Sequence, residues 1–434
     1  MAGMHYDIVI VGGGAGGLEL AARLGRKLGP KAGKERVLLI DRSSFHIWKP
    51  TLHEVAAGTL DTHQEGLSYS ILGRANHFSF LLGDLDSFDP VAKRLSLKPI
   101  LAEAGKVLVP ERGVTFSWGV LAIGSGSNLF GTPGADQAHL LERTEDAEAF
   151  HTRLLAAFMK ASFSTEKSMS VAIVGGGATG VELSAELIEA HRELLGSLGS
   201  EQRFRLDIAI VEAAPRILGG LPEKISDQAT VALERKGVRV HTGAKVVAVH
   251  ADRLETSQGD IPADLIVWAA GVKAAPTNAG YGLEINRTNQ FVVNERLETS
   301  APDVWALGDC AAAPWIGTAG KEGRIIPARA QAAHQQASYL AKALIARLGQ
   351  RRVEAPFVYR DFGSLLSLGE NKGVGALMGG LGGPNFFVEG LIAKWAYISL
   401  HLDHHRAIMG TPKTIVLALA RLLQQRVAGR LKLH

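Results

Sequence analysis

Tyr6–Val11 (YDIVIV) and the glycine run behind it, Gly12–Gly17 (GGGAGG), decide the fold of this chain. The apolar, β-branched run is typical of a strand buried on both faces. The glycines at positions 12, 14 and 17 form the pattern G-x-G-x-x-G, and a predicted helix follows over Leu18–Leu28. A second predicted strand, Val37–Ile40, ends at Asp41. Glycines admit a phosphate, a helix N-terminus offers free N–H groups and an acid suits ribose hydroxyls, so this segment predicts a dinucleotide-binding unit.

The same pattern recurs in the middle of the chain. The predicted strand Val171–Val174 (VAIV) leads into Gly175–Gly180 (GGGATG) and a helix from Val181 to about Leu195. The next predicted strand, Ile208–Val211, ends at Glu212. Each copy is completed by a later strand that closes on a small-residue turn, at positions 121–124 (LAIG) and 268–271 (WAAG). Two complete copies are far more specific than one glycine pattern, so we expect an α/β protein with two Rossmann-like dinucleotide-binding domains.

Two such domains in one chain suggest two dinucleotides held face to face, and a flavin with a nicotinamide is the obvious pair because hydride passes directly between them. Positions 303–307 (DVWAL) predict a strand that ends in Gly308-Asp309, where an acid suits the ribityl chain of FAD. This turn lies beyond the second copy, so the FAD domain is expected to be discontinuous. The predicted domains are residues 1–160 and 281–375 for FAD, 161–280 for NADH and 376–434 for a C-terminal membrane-associating segment.

Composition narrows the chemistry. The chain has 434 residues, an ordinary balance of 46% hydrophobic and 21% charged residues, and one cysteine, Cys310. One cysteine excludes a disulfide redox pair and any cysteine-rich metal site. Glu212 favours NADH over NADPH because its charge repels a 2′-phosphate, although Arg216 could weaken that preference. Residues 390–434 carry seven basic residues against Asp403 alone, so the net positive charge belongs to the tail.

The C-terminal third contributes a helix and a tail. Pro327 is expected in the first turn of a helix on which Gln331 and Gln335, four residues apart, share one face. In the tail, Thr411-Pro412 predicts a helix with an apolar arc and Lys413 and Arg421 on the other side. The arc consists of Ile415, Val416, Leu419, Leu422, Leu423 and Val427. A basic amphipathic helix of this kind suits an anionic lipid surface, with packing on the body or in a dimer interface as the alternative. An aromatic-rich stretch from Phe386 to Ile398 precedes it.

Several motifs now resemble one family. Ala330-Gln331-x-Ala333-x-Gln335 is similar to the AQxAxQ signature of the type II NADH:quinone oxidoreductases, the single-chain respiratory NADH dehydrogenases. The likeness extends to positions 48–50 (WKP), 52–55 (LHEV), 175–186 (GGGATGVELSAE), 268–271 (WAAG), 363–368 (GSLLSL) and 430–434 (RLKLH). It implies the flavin-linked disulfide reductase fold, but without the redox-active cysteine pair of the disulfide reductases. It also implies that Gln331 and Gln335 line a quinone site beside the flavin and that Glu182 approaches the nicotinamide.

The resemblance further implies non-covalent FAD, NADH as substrate and a membrane quinone as acceptor. Because no apolar segment reaches the ~20 residues of a membrane-spanning helix, we expect that turnover pumps no protons. The resemblance places the protein peripherally on the cytoplasmic face of a bacterial inner membrane. The expected catalytic residues are Glu182, Gln331 and Gln335. The residues expected to bind FAD are Gly12, Gly14, Ala15, Gly16, Gly17, Asp41, Arg42, Lys49, Pro50, Gly124, Ser125, Gly308, Asp309, Ala330 and Gln331. Those expected to bind NADH are Gly175, Gly177, Ala178, Thr179, Gly180, Glu182, Glu212, Ala270 and Gly271.

Two other functions stay open at this point: a soluble ferredoxin-reductase-type flavoenzyme, and an apoptosis-factor-like flavoprotein that senses NADH. The sequence also leaves open whether the chain forms a homodimer. The basic tail is too short and too apolar for nucleic-acid recognition. His401, Asp403, His404 and His405 match no common zinc spacing, so we assign no metal and expect them at the membrane surface.

Overall fold

A computed structural model of the protein describes residues 4–102, 105–317, 323–351, 355–369, 373–377, 386–389 and 391–427. Within the last two helices, side chains are described for residues 398–421 and 423. The predicted RLKLH motif at 430–434, and the side chains of the aromatic-rich stretch other than Ile398, lie outside the described residues.

The helices and strands alternate along most of the chain. The helices are α1 (Ala15–Leu28), α2 (Ala32–Arg36), α3 (Leu52–Ala57), α4 (Thr62–Glu65), α5 (Tyr69–Asn76), α6 (Thr144–Phe163), α7 (Ala178–Ser197), α8 (Glu223–Arg235), α9 (Ala330–Leu348), α10 (Leu391–Met409) and α11 (Thr411–Val427). The strands are β1 (Met4–Val11), β2 (Val37–Asp41), β3 (Phe45–His46), β4 (Leu67–Ser68), β5 (Ser79–Leu82), β6 (Leu85–Asp89), β7 (Arg94–Leu97), β8 (Ile100–Leu101), β9 (Val107–Val109), β10 (Arg112–Leu121), β11 (Gly126–Ser127), β12 (His139–Leu140), β13 (Ser168–Val174), β14 (Arg205–Glu212), β15 (Val238–Thr242), β16 (Val246–Val249), β17 (Arg253–Thr256), β18 (Gly259–Pro262), β19 (Leu265–Trp268), β20 (Val272–Lys273), β21 (Phe291–Val292), β22 (Val304–Ala306), β23 (Ala311–Ala312), β24 (Gly363–Ser367), β25 (Gly373–Leu377) and β26 (Phe386–Glu389).

The first sheet is built from two distant stretches of chain. Its strands run in the order β5-β2-β1-β10-β7-β6, and β22 pairs with β10 beside that path. Strands β5, β2, β1, β10 and β22 are parallel, whereas β7 and β6 are antiparallel additions. Because β22 enters the sheet from residues 304–306, the turn that follows it lies at the same strand edge as the glycine run after β1.

The second sheet is parallel throughout, in the order β12-β19-β13-β14-β15. Its strands span residues 139–268, so its first strand lies before the predicted boundary at 160, and α6 crosses that boundary. The two passages of chain between the sheets pair with each other, β11 antiparallel to β20. Both connections to the second sheet therefore run side by side. The exact domain limits stay a prediction.

Both glycine turns are tight for the same reason. Gly12 and Gly175 have φ of +104° and +108°, in the region that glycine alone enters freely. A Cβ on Gly17 would overlap the carbonyl oxygen of Gly12, and a Cβ on Gly180 would overlap that of Gly175. The first helical turn therefore lies directly against the strand end in each domain, as the spacing of the glycines predicted.

The C-terminal region forms a sheet and two helices, α10 and α11, that follow the two dinucleotide-binding domains in the chain. Strands β24, β25 and β26 make an antiparallel sheet, and Leu366 and Leu368 pack in the core of the second domain. Helix α11 begins at Thr411, as predicted, but α9 begins at Ala330 and not at Pro327. Arg329 is extended (φ −149°, ψ 145°) and caps α9, so the proline lies before the helix. Among the described helices, none combines the length and apolar character needed to cross a bilayer.

The second glycine turn yields a matched pair of substitutions. Gly180→Ala should lower the free energy of unfolding by about 1–3 kcal/mol, because the added methyl meets a backbone oxygen that cannot move aside. Gly177→Ala is the control: no atom lies within 4 Å of its Cβ position and its φ of −75° suits alanine. Thermal unfolding without NADH would separate them. Equal melting temperatures for the two variants would contradict the close approach.

Candidate active site

The first glycine turn presents one open side. Gly14 caps the N-terminus of α1, and a Cβ built on it meets nothing within 4 Å. Asp41, at the end of β2, accepts hydrogen bonds from the N–H groups of Gly13 (2.6 Å) and Ser43 (2.8 Å). Burial raises the pKa of Asp41, although these hydrogen bonds and the nearby Arg42 act in the opposite direction. A hydrogen-bonded carboxylate therefore stands beside an exposed helix N-terminus.

The second turn repeats this geometry with a glutamate. Glu212 accepts from the N–H groups of Gly176 (2.7 Å) and Ala214 (2.8 Å). Gly177, Ala178 and Thr179 are exposed at the start of α7. The Arg216 guanidinium donates to the carbonyl oxygens of Leu218, Gly219 and Leu221 within its own loop. Arg216 is thus engaged within its own loop, and the preference of Glu212 for NADH over NADPH stays a prediction.

Four residues predicted for the flavin meet between β10 and β22. The Lys49 ammonium donates to the carbonyl oxygen of Ser125 (2.7 Å), and the Ser125 hydroxyl donates to Asp309 (3.1 Å). Gly308 has φ +73° and donates its N–H to the buried Gln336 amide (2.7 Å) on α9. The turn after β22 is thereby fixed to α9 on one side and to the segment after β10 on the other.

The remaining predicted residues surround these groups. Pro50 lies in the short helical turn Lys49–Thr51, and Gly124 has φ +71° with open space at its Cβ position. Arg42 is exposed, and Ala330 is the first residue of α9. In the second domain a Cβ on Gly175 would press on Ala270, and a Cβ on Gly271 would press on Phe130. The predicted glycines and acids of both domains lie at the carboxyl ends of parallel strands, where α/β proteins bind ligands.

Helix α9 connects its two predicted glutamines to the segment before β24. Gln331 accepts from the Tyr359 hydroxyl (2.6 Å) and from the Phe362 N–H (3.2 Å). Gln335 donates to the carbonyl oxygen of Arg360 (2.8 Å) and accepts from its N–H (3.0 Å). The two amides do share a helix face. They hold the 359–362 segment in place, and the Gln331 Nε2 has no protein partner among the described residues.

Glu182 is buried between the domains, near the partly exposed Glu54 and Glu186. It accepts from the Ser367 N–H (3.1 Å) of β24, and His53 Nδ1 lies 3.8 Å from its carboxylate. Burial raises the pKa of Glu182 to about 8; the Ser367 hydrogen bond opposes this rise, while the charges of Glu54 and Glu186 add to it. Burial lowers the pKa of His53 to about 4. At neutral pH, Glu182 therefore keeps its proton beside a neutral histidine.

Cys310 has no access to solvent and is not a redox group. It is 0% exposed at the end of the turn after β22, and its thiol donates to the Leu307 carbonyl oxygen (3.3 Å). Burial raises the pKa of the thiol to about 12, so the reactive thiolate does not form near neutral pH. The one cysteine of the sequence therefore offers no reactive thiolate to this site.

Two bound dinucleotides fit these residues. At Gly14 and Gly177 the space that a side chain would fill is open, beside free N–H groups of α1 and α7. Such helix starts bind phosphates, and the neighbouring Asp41 and Glu212 retain oxygen lone pairs for ribose hydroxyls. Both turns thus combine open space for a phosphate with free N–H groups that can donate to it.

Sequence reasoning missed several residues of the site. His53 lies inside the quoted LHEV motif, and Gln336 directly follows Gln335. Their positions next to predicted site residues could have identified them, and the structure shows that both are buried. Ser367 acts through its backbone N–H, which no side-chain pattern reveals. The expectation of a surface position was wrong for His404 and His405, which are 1% and 3% exposed, whereas Asp403 is exposed. The His404 ring packs beside His46, His334 and His405.

The raised pKa of Glu182 can be tested through stability. An unfolded glutamate titrates near 4.5 and the folded one near 8, so between these values the unfolded chain has released a proton that the folded chain retains. Stability is therefore lost as pH rises from about 4.5 to about 8. Glu182→Gln has no proton to lose, so its free energy of unfolding should exceed that of the wild type at pH 8 by several kcal/mol, since each unit of pKa shift corresponds to about 1.4 kcal/mol.

At pH 4 the carboxyl is neutral in both states, and the advantage of Glu182→Gln should vanish. Chemical denaturation at both pH values would measure it. A difference that is the same at pH 4 and pH 8 would contradict a raised pKa.

Comparison with known proteins agrees with this geometry. Residues 6–337 match the pyridine nucleotide-disulphide oxidoreductase family. The chain is 38% identical to the type II NADH:quinone oxidoreductase of Haemophilus influenzae, over 99% of this chain and 100% of that protein. It is 28% identical to the type II NADH:quinone oxidoreductase Ndh of Mycobacterium tuberculosis, over 92% of this chain and 84% of that protein. The solved structure of NDH2 from Plasmodium falciparum in complex with NADH superimposes with a TM-score of 0.80 at 18% identity, covering 98% and 99% of the two chains.

The family and fold indicated by the sequence motifs are thereby confirmed, and the rival ferredoxin-reductase-type and NADH-sensing interpretations fall away. The extent and identity of the first match leave one assignment. The chain belongs to the type II NADH:quinone oxidoreductases, enzymes that oxidise NADH and reduce a quinone.

Proposed function

We propose that the first domain binds FAD non-covalently and the second binds NADH, so that the nicotinamide meets the flavin between the two sheets. The observation that carries this proposal is the matching pair of turns, each with an open helix start and a hydrogen-bonded carboxylate, Asp41 or Glu212. The turn at Gly308 and Asp309, tied to Ser125 and Lys49, completes the first site on the side of the flavin ribityl chain.

FAD held by the first glycine turn, Asp41 and the Gly308-Asp309 turn would supply the chemistry that takes up hydride from NADH and gives two electrons to a quinone. Everything else the chain supplies is alignment and electrostatics. Helix α9 begins at Ala330 next to the Gly308 turn, and the positive end of its dipole favours negative charge at that place. The free Nε2 of Gln331 is oriented by the two hydrogen bonds that its Oε1 accepts. Gln331 thus offers an N–H donor to a quinone carbonyl.

Glu182 has a different part. NADH, a quinone and one proton give NAD⁺ and quinol, so the reaction takes up a proton. A carboxyl whose pKa is raised to about 8 holds a proton at neutral pH and adds no negative charge beside the nicotinamide site. The positive start of α7 would otherwise favour an ionised acid here. Burial outweighs that effect, which supports a role for Glu182 at the site of hydride transfer.

The quinone is dissolved in lipid, and the exposed apolar side of α11 offers a surface that can contact the lipid. Ile415, Val416, Leu419 and Leu423 are 54%, 67%, 56% and 67% exposed and follow one side of the helix. On its other side Thr414 is buried and Arg421 forms an ion pair with Glu65. An exposed apolar row on a basic helix suits an anionic membrane surface. We therefore propose peripheral attachment to the cytoplasmic face of a bacterial inner membrane. That turnover pumps no protons stays a prediction, and so does the possible homodimer.

The proposed function is tested by following the flavin absorbance of the purified protein in two rapid-mixing steps. NADH should bleach it, and a soluble quinone should then restore it. In Gln331→Ala the restoration should be slower by about tenfold or more, since one preorganised donor to the quinone is lost, while the bleaching keeps its rate. Gln335→Ala should act in the same direction through the 359–362 segment.

Ser338→Ala is the control for both variants, because Ser338 follows Gln335 on the same helix face and its hydroxyl donates to Glu19 (3.3 Å). It should leave both steps unchanged. A colourless protein that binds no flavin would refute the proposal. Equal slowing of both steps in Gln331→Ala would remove Gln331 from the quinone site.

Membrane attachment is tested with vesicles rich in phosphatidylglycerol. Val416→Ser with Leu419→Ser should weaken co-sedimentation by about tenfold or more, because each buried CH₂ contributes ~0.8 kcal/mol. The control is Val231→Ser with Val247→Ser, which removes apolar groups of 44% and 47% exposure from the second domain. An equal loss in both double variants would show that α11 is not the attachment site.

A further inference from the structure

The carbonyl oxygen of Gly13 is hydrogen-bonded by two side chains. His46 Nδ1 lies 3.0 Å from this oxygen, and the Tyr69 hydroxyl donates to it at 2.7 Å. In a trans peptide the C=O and the following N–H point in opposite directions. Fixing the oxygen of Gly13 therefore fixes the direction of the Gly14 N–H, which points away from His46 and Tyr69. Gly14 is the open position of the first turn, so this N–H is a donor for a nucleotide phosphate.

His46 is in turn held by His404 of α10. The two Nε2 atoms are 2.8 Å apart, and both side chains are buried, at 4% and 1% exposure. Because Gly13 O can only accept, His46 carries its hydrogen on Nδ1. A neutral His46 then has a bare Nε2, so His404 donates from its own Nε2. Burial lowers the pKa of His46 to about 3, which keeps it neutral and preserves this direction of donation.

Helix α10 is seated by residues of α1 and α9. The Arg26 guanidinium donates to the carbonyl oxygens of Ala407 (2.7 Å) and Ile408 (3.1 Å) near the end of α10. The ring of His404 lies 4.9 Å from that of His334, centroid to centroid, and His334 is bonded to the buried Glu19. The position of the His404 ring thus depends on how α10 packs against α1 and α9.

The second domain handles the same carbonyl differently. The oxygen of Gly176, which corresponds to Gly13, accepts from the backbone N–H of Leu218 at 2.7 Å. Leu218 belongs to the same domain and follows β14 in the chain. The direction of the Gly177 N–H therefore depends on local backbone alone. Only the first of the two turns is oriented by side chains that reach a C-terminal helix.

We propose that His404 and His46 are positioning residues that connect α10 to the first glycine turn, so that the seating of the C-terminal helix governs how firmly the flavin nucleotide is held. The inference rests on the proposed function in one respect: the first turn is taken to bind the flavin. It adds that a helix in the C-terminal region proposed to face the membrane is part of the flavin site. NADH binding at the second turn should not depend on the packing of α10.

The test is the rate at which FAD leaves the holoenzyme, followed by the rise in its fluorescence after dilution. His404→Phe keeps a ring of similar size but removes the donor to His46. FAD should leave about 2- to 10-fold faster, the effect of one lost hydrogen bond on the release barrier. His404→Gln, whose amide N–H can reach the position of the imidazole Nε2, should restore release to within about twofold of the wild type.

His401→Phe is the matched control. His401 lies on the same helix one turn earlier, stacks on Trp48 at 4.7 Å between centroids, and has no bond to His46. It should leave FAD release unchanged, and NADH affinity should be the same in all three variants. Unchanged release in His404→Phe, or equal acceleration in His401→Phe, would overturn the inference. A protein that holds no flavin would instead refute the proposed function.

Discussion

In both dinucleotide turns a helix begins so close to the preceding strand that a single methyl group would overlap a backbone oxygen. Everything else at the site depends on this approach. It brings the free N–H groups of the helix to the carboxyl edge of the sheet, next to the acid that ends the following strand. It also leaves one face of each turn open at Gly14 and Gly177. Since the same approach occurs twice and the connecting strands β11 and β20 are paired, both open faces are presented by one continuous framework.

The same kind of group behaves differently according to its surroundings. Glu212 and Glu182 are carboxylates of one domain. Glu212 accepts two backbone N–H groups at the open edge. Glu182, on α7, accepts one and is enclosed by α3 and β24, near two further acids, and burial raises its pKa to about 8. One carboxylate is therefore suited to a ribose, and the other to keeping a proton where charge changes during the reaction.

Much of the fold was predictable, because local periodicity and glycine spacing report strands, turns and helix starts directly. The strands ending at Asp41 and Glu212, and the start of α11 at Thr411, follow from such patterns. Pro327 misled because proline tolerates a first helical turn but does not impose one, and Arg329 is extended instead. His404 was misplaced because its partner, His46, is 358 residues away along the chain. A histidine near basic residues looks solvated unless that partner is known. Contacts through backbone atoms, such as those of Ser367 and Arg360, leave no trace in side-chain patterns.

The seclusion of Cys310 has a consequence for the conditions under which the protein works. The matching family is named for pyridine nucleotide-disulphide oxidoreductases, and an accessible reactive thiol is open to alkylation, to peroxides and to disulfide exchange with glutathione. Here the sole sulfhydryl is enclosed and protonated. The thiol pool around this protein therefore finds no exposed cysteine to alkylate, oxidise or join in a mixed disulfide.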